Sequence, residues 1–304
     1  MANLKVVFLG TSGSTPSKER NLSSTCINFN GQNFLFDCSE GTQRQIMQSG
    51  LSFMKVDFIF ISHFHGDHIL GLPGLLATMT MQERQKELFI TGPKGIGEKV
   101  KAALWLSGFR PSFPLKVKEL KRKEIILKEK NFKITAFPLK HEIPCFGFVF
   151  EELRPAGKFI REKALKLGIP EGPLWRQLQQ GKGVKLGGKS FKPEQVLDFS
   201  QGKKGKKVAI VMDTTPKYNI SELTEADVLV HEASLSSAFE QRAKETRHST
   251  AAQAAGIAKK ARVKKLFITH VSTRHQKEIE TLEKEAQAVF PNSKIAKDLE
   301  TVEL

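Results

Sequence analysis

Cysteine is scarce in this chain. Cys26, Cys38 and Cys145 are the only three in 304 residues, an odd number with no Cys-x-x-Cys pair. That excludes a disulfide framework and a thiolate zinc site, and it fits core residues of a cytoplasmic protein. Long apolar runs are missing as well. The apolar stretch before Gly10 is only four residues, Val6, Val7, Phe8 and Leu9, too short for the hydrophobic region of a signal peptide. No stretch approaches the roughly 20 apolar residues that a membrane-crossing helix needs. A soluble protein without a membrane partner is expected. Acidic side chains are in deficit: 32 Asp plus Glu face 48 Lys plus Arg, a formal net charge of +16. Such an excess favours a polyanionic partner such as nucleic acid.

What is present is a series of short runs rich in Val, Ile and Phe, each bounded by polar residues, Gly or Pro. This pattern predicts strands at 5–9, 25–29, 33–37, 57–62, 87–91, 132–137, 146–150, 208–212, 227–230 and 265–269. Asn30-Gly31 tolerates positive φ at both residues and predicts a hairpin between the second and third strands. Helical spacing predicts helices at 42–48, 69–80, 96–106, 249–262 and 276–289, with Ser249 or Thr250 as a cap of the fourth. Many strands with interspersed helices imply two sheets packed face to face and covered by helices. There are no internal repeats.

The segment 151–207 departs from this pattern. It holds 14 Lys plus Arg against 6 Asp plus Glu, an excess equal to half the net charge of the chain, and it is rich in Gly and Pro. We read it as a basic arm inserted into a single 1–304 domain, with too little apolar surface to form a core of its own. Lys182, Lys185, Lys189 and Lys192 recur every three or four residues, which suits phosphate contacts rather than base reading. Trp175 can stack on a base, but packing against Leu174 and Leu178 is the reading we prefer.

The densest signal is His63-Phe64-His65-Gly66-Asp67-His68, where four good metal ligands fall within six residues directly after a predicted strand. Grouping that many polar side chains in a folded interior is costly unless a metal coordinates them. His141, Asp213, His231 and His270 each follow another predicted strand, so five strand ends are expected to converge on one edge. Seven of the eight histidines thereby fall where a two-metal hydrolase would place them. Imidazole and carboxylate donors suit Zn²⁺ and also admit Mn²⁺ or Fe²⁺. Two such ions about 3.5–4 Å apart can share a hydroxide and bracket a phosphate.

This block, followed by a separated His, Asp and His, resembles the metallo-β-lactamase superfamily. Within it the chain is similar, essentially end to end, to the short form of the ribonuclease Z family, the tRNA 3′-processing endonucleases. The similarity is carried by Phe36-Asp-Cys-Ser-Glu-Gly-Thr-Gln-Arg-Gln45, the block at 63–68, His141, Asp213, His231-Glu232-Ala233, His248-Ser249-Thr250 and His270. Pro16-Ser-Lys18-Glu-Arg20-Asn21 matches that family's Pro-x-Lys-x-Arg-Asn loop, and the basic stretch around Gly168-Ile-Pro-Glu-Gly-Pro173 resembles its tRNA-gripping exosite.

The resemblance implies an α/β fold, a four-layer αβ/βα sandwich with the exosite inserted. It assigns His63, His65 and His141 to one zinc and Asp67, His68 and His270 to a second, with Asp213 bridging. It further implies precursor tRNA as substrate, a homodimer, and hydroxide attack that leaves a tRNA 3′-hydroxyl and a 5′-phosphorylated trailer. Asp67 would orient or deprotonate the nucleophile. His248 would protonate the leaving oxygen, held by Glu232. Lys18, Arg20 and Asn21, with Lys182, Lys185 and Lys189 of the arm, are the expected substrate contacts. His231 is expected to act from outside the coordination sphere, because the seven ligand positions are already filled. Asp37 either supports a ligating histidine or caps the turn that follows it. His275, in a polar stretch, is expected at the surface. The alternative reading is a small-molecule phosphodiesterase or another hydrolase of the same superfamily, which would need neither the arm nor the 16–21 loop.

Overall fold

The structure is a computed structural model that describes residues 4–153, 158–179, 183–198 and 205–304. Two seven-stranded sheets carry most of it. The first runs in the order Thr301–Glu303, Leu4–Gly10, Ser24–Phe29, Gln32–Phe36, Val56–Phe60, Leu88–Pro93 and Leu115–Leu120. It begins antiparallel and turns parallel from Gln32–Phe36 onward. The second runs Ser293–Ile295, Lys265–Thr269, Val228–Glu232, Lys207–Val211, Phe146–Glu152, Phe132–Pro138 and Glu124–Lys128, and its first four strands are parallel.

Aromatic side chains join the two sheets. Phe8 meets Phe267 with ring centroids 5.2 Å apart, and Phe148 lies 5.6 Å from both Phe36 and Phe60. Each sheet's other face is covered by helices. Ile46, Leu72, Leu75, Leu76, Val100 and Ala103 pack on the first sheet, from helices Thr42–Gln48, Leu72–Met81 and Ile96–Ser107. Ala251, Ala254, Ala255, Ala258, Leu282 and Ala286 pack on the second, from Ala251–Lys260 and Ile279–Val289. Alanine at these positions lets the helix approach closely, and Thr250 starts the first of the two with a capping box to Gln253. The result is the helix–sheet–sheet–helix sandwich expected.

The departures have local causes. The predicted helix 69–80 is two helices, Gly66–Ile69 and Leu72–Met81, broken where Gly71 packs so tightly on Ser39 that a Cβ would stand 1.9 Å from its carbonyl oxygen. Pro73 then takes the first turn of the second helix, where its missing N–H costs nothing. Two further strands, Leu115–Leu120 and Glu124–Lys128, lie at sheet edges, the first interrupted by Lys116, Lys118 and Glu119 and the second with only three apolar residues, so neither reads as an apolar run.

The chain divides into two compact units, one comprising Met1–Ile125, Thr135–Val149 and Lys207–Leu304, the other Ile126–Ile134 and Phe150–Lys206. The second unit contradicts the expectation that the inserted segment lacks a core. Ala164, Ile169, Trp175, Leu178, Val184, Phe191, Val196 and Leu197 form a buried cluster within it. These residues are scattered through Gly-rich and Pro-rich sequence, so no apolar run announces them, but two short helices, one hairpin and the pairing of Lys158–Phe159 with Leu197–Asp198 gather them. Trp175 is buried, donates from Nε1 to the Ile169 carbonyl at 2.9 Å and packs beside Phe159, as the packing reading of this residue anticipates.

Candidate metal centre

Parallel strands that end together present their following loops on one edge, where open α/β sheets place ligand sites. Val56–Phe60 delivers the block at 63–68, Lys207–Val211 delivers Asp213, and Lys265–Thr269 delivers His270. His141 follows Phe132–Pro138. The short helix Gly66–Ile69 turns Asp67 and His68 back toward the strand ends.

These side chains, with His248, form three overlapping groups of metal donors: His63, His65, His141 and Asp213; Asp67, His68 and His270; and Asp213, His248 and His270. In the first, His65 Nδ1 faces His63 Nε2 at 3.1 Å and His141 Nε2 at 3.2 Å, and Asp213 Oδ2 lies 3.4 Å from the former and 3.7 Å from the latter. In the second, His68 Nε2 and His270 Nε2 are 3.2 Å apart, and Asp67 Oδ2 is 3.5 and 3.3 Å from them. Asp213 Oδ1 completes that group at 3.5 and 3.2 Å from the same two nitrogens. One carboxylate therefore sends one oxygen to each of these two groups.

The donors fit divalent cations. Ligands held about 2.0–2.1 Å from a tetrahedral ion stand roughly 3.3–3.4 Å apart, the spacing seen in both groups. Asp213 Oδ1 is a buried carboxylate oxygen without a hydrogen-bond partner, a state that would be costly without a cation. The field agrees. Burial works against a charged His68, yet Asp213, Asp37 and Asp67 outweigh it and raise the pKa to about 10, so this pocket draws positive charge. His63, where burial dominates, is pushed down to about 4 and stays neutral, the state a ligand needs.

Four histidines of these groups have the other ring nitrogen occupied by the protein. His63 Nδ1 meets Ser62 Oγ at 2.9 Å, His68 Nδ1 meets Asp37 at 2.7 Å, His141 Nδ1 meets the Arg247 carbonyl at 3.2 Å, and His270 Nδ1 meets Ser234 Oγ at 2.9 Å. Such partners fix the ring and leave Nε2 for the metal. Asp37 also accepts from Ser62 N and Oγ, which settles its role: it supports His68 and does not cap the following helix. Four of the nine non-glycine residues with positive φ among the described residues, Ser14, Asp37, Arg247 and His270, belong to this network. Such conformations cost about 1–3 kcal/mol each and mark backbone held for function. Gly13 allows the closest approach, since a Cβ there would stand 2.5 Å from His270 Nδ1.

Beside the metal groups, Glu232 is a fully buried hub. It accepts from the backbone N–H of Thr214, Ser234 and Ser249 at 2.9–3.1 Å and faces His248 Nδ1 at 3.3 Å. Burial works against a charged His248, but Glu232 prevails and raises the pKa to about 9. Ser234 Oγ also touches His248 Nδ1 at 3.3 Å and thereby links it to His270. His231 is excluded from all three groups. It is buried, with Nδ1 on its neighbour's carbonyl at 2.6 Å and Nε2 on the Tyr218 hydroxyl at 2.9 Å.

Ser62, Ser234, Arg247 and Tyr218 were not anticipated. Ser62, Ser234 and Arg247 carried a signal, each standing one or two residues from a predicted site residue, and Tyr218 carried none. His275 is a correction: it is buried, because the polar stretch around it winds into a 3₁₀ turn, Thr273–Glu278, that sets its ring edge-on to Phe239. Among the expected substrate contacts, Lys18 is exposed, while Arg20 spends Nη1 on Thr11 and the Ala296 carbonyl at 2.6 Å. Asn21 gives its side-chain amide to the Glu40 carbonyl at 2.8 Å. The loop reaches the metal groups at its base, where Ser14 N donates to Asp67 at 2.8 Å. Lys185 and Lys189 are exposed on a hairpin, and Lys182 lies outside the described residues.

Residues 4–152 match the family model described as anti-Pycsar protein Apyc1. Over nearly the whole chain, the similarity lies elsewhere. The ribonuclease Z of Methanothermobacter thermautotrophicus is 41% identical over 99% of this chain and 97% of its own, and that of Nitrosopumilus maritimus is 42% identical over 99% and 100%. The crystal structure of human tRNase Z, short form, superposes with a TM-score of 0.72 at 28% identity, covering 98% of each chain. Two sheets between helices, ligands on one edge and full-length identity agree: the chain belongs to the ribonuclease Z family, metal-dependent endoribonucleases of the metallo-β-lactamase fold.

Proposed function

We propose that the chain removes the 3′ trailer from precursor tRNA with two zinc ions, leaving a 3′-hydroxyl on the tRNA and a 5′-phosphate on the trailer. The observation that carries this reading is Asp213, one oxygen toward each ligand group, with His248 alongside. His63, His65, His141 and Asp213 would hold one ion, and Asp67, His68, His270 and Asp213 the other. When bound, the ions supply positive charge for the non-bridging phosphate oxygens and lower the pKa of water toward about 7.

The chain's own groups do the rest. Burial alone would raise the Asp67 pKa, but His270 and His68 hold it below the usual carboxylate range, so Asp67 accepts a hydrogen bond from the attacking water and orients it. As the water oxygen bonds to phosphorus, its proton passes to Asp67 and on to solvent, and the bond to the ribose 3′-oxygen breaks. His248, with Nδ1 held by Glu232, gives that oxygen a proton from Nε2. Exposed Lys18, Lys185 and Lys189 supply phosphate contacts. The reading includes a homodimer, which sedimentation equilibrium tests, and a cytoplasmic location, supported by three free, buried cysteines. Among the described residues, no helix is long and apolar enough to cross a membrane.

A 3′-extended tRNA transcript incubated with the protein should give one cut at the acceptor end, lost with chelator and restored by zinc. Absence of that cut, with hydrolysis of a small chromogenic phosphodiester retained, would overturn the tRNA reading.

A further inference from the structure

A cavity of about 630 Å³ opens beside the proposed acid. His248 forms part of its wall, together with Thr215, Pro216, Lys217, Lys244 and Gln253. None of the seven residues assigned to the two ions lines it; His248, which also groups with Asp213 and His270 as a set of metal donors, is where it meets the chemistry. That ring lies 5.3 Å from His141 and 5.4 Å from His270, centroid to centroid. Its volume is within the range that encloses most of a small organic ligand.

The charges are arranged for an anion. Lys217 and Lys244 are exposed, and neither ammonium makes a hydrogen bond or ion pair among the described residues. The acidic group in the wall, Glu240, is engaged by Gln253 Nε2 at 2.9 Å. Pro216 and the Thr215 methyl add apolar surface suited to the face of a sugar or base. Cation and apolar surface together describe a nucleotide site.

Chemistry assigns the nucleotide. Hydrolysis that leaves a 3′-hydroxyl expels the 3′-oxygen of the upstream residue, and the acid that protonates it must stand against that residue. His248 Nδ1 is committed to Glu232 and Ser234, so Nε2 serves the substrate. We propose that the cavity is the subsite for the last nucleotide retained on the tRNA, with Lys217 and Lys244 gripping the phosphate on its 5′ side. The proposal rests on the tRNA-processing reading above and adds a direction: the RNA enters with its retained end on the Lys217–Lys244 side.

Two precursor tRNAs test it, one with 4-thiouridine as the last retained nucleotide and one with it as the first trailer nucleotide. After irradiation with the protein, the first should cross-link to peptides spanning 215–217 or 240–253, and the second should not. The variant K217A/K244A, altered only at exposed side chains, should raise KM for precursor tRNA about tenfold, with kcat and chromogenic phosphodiester hydrolysis unchanged. Cross-linking of the trailer nucleotide to those peptides, or an unchanged KM, would overturn the subsite while leaving tRNA cleavage by the parent protein intact. Failure of the parent to cut precursor tRNA would remove the tRNA reading and the subsite with it.

Discussion

The two compact units solve opposite problems. The larger one gathers seven polar side chains able to hold metal at a sheet edge and gives nearly every remaining polar atom around them a partner. The inserted one is organised by a cluster of eight buried apolar residues, while Lys185 and Lys189 stand exposed on its hairpin. In the first, one misplaced oxygen matters, because charges buried together must be matched. In the second, solvated lysines act additively and through salt-screened attraction, so no single one is decisive. On the reading proposed above, the first unit carries the chemistry and the second adds grip to that of Lys18, Lys217 and Lys244, and substitutions can pull the two roles apart.

The sharpest break comes at Asp213. Asp213→Asn should cut hydrolysis of tRNA and of chromogenic phosphodiester alike to below about a thousandth of the parent rate, since even one preorganised electrostatic group is worth roughly 10²–10³. Steady-state kinetics on both substrates checks this, and loss on tRNA alone would contradict it. His248→Ala should reduce tRNA turnover about 10²- to 10⁴-fold. It should leave bis(p-nitrophenyl) phosphate nearly untouched, because that leaving group needs no proton. Equal losses on both would remove His248 as the acid.

Asp37→Asn tests support without ligation. The amide can still meet Ser62 but no longer offers His68 a carboxylate, so zinc affinity should fall about 10- to 100-fold while the fold persists. Competition with a chromogenic chelator measures this. The smallest effect is expected from the inserted unit, where the variant K185A/K189A should raise KM for tRNA a few-fold. The salt dependence of binding should flatten by about one to two in log–log slope. Chromogenic hydrolysis should stay at the parent rate, and a fall there would mean that these lysines serve the centre itself.

The sequence made the metal ligands legible because each combines two signals, a metal-binding side chain and the end of an apolar run. His63, His141, Asp213 and His270 all stand at such positions. Among their partners Asp37 carries the same mark, as a carboxylate at the end of an apolar run, but the others do not. Arg247 serves His141 through its backbone carbonyl, and Asp37 and His270 sit at positive φ, none of which a side-chain pattern encodes. His275 misled because its neighbours are polar, and the 3₁₀ turn that buries it depends on packing against Phe239. The inserted unit misled through composition: frequent Gly and Pro suggested no core, yet Trp175 and Phe191 need only short elements to meet.

The account turns on Asp213 joining two metal sites, and native mass spectrometry of metal-stripped protein titrated with zinc tests it most directly. We predict two ions per chain for the parent, with loss of cooperative loading in Asp213→Asn and tRNA cleavage appearing only as the second ion binds. A parent that saturates with one ion per chain and is fully active would contradict it.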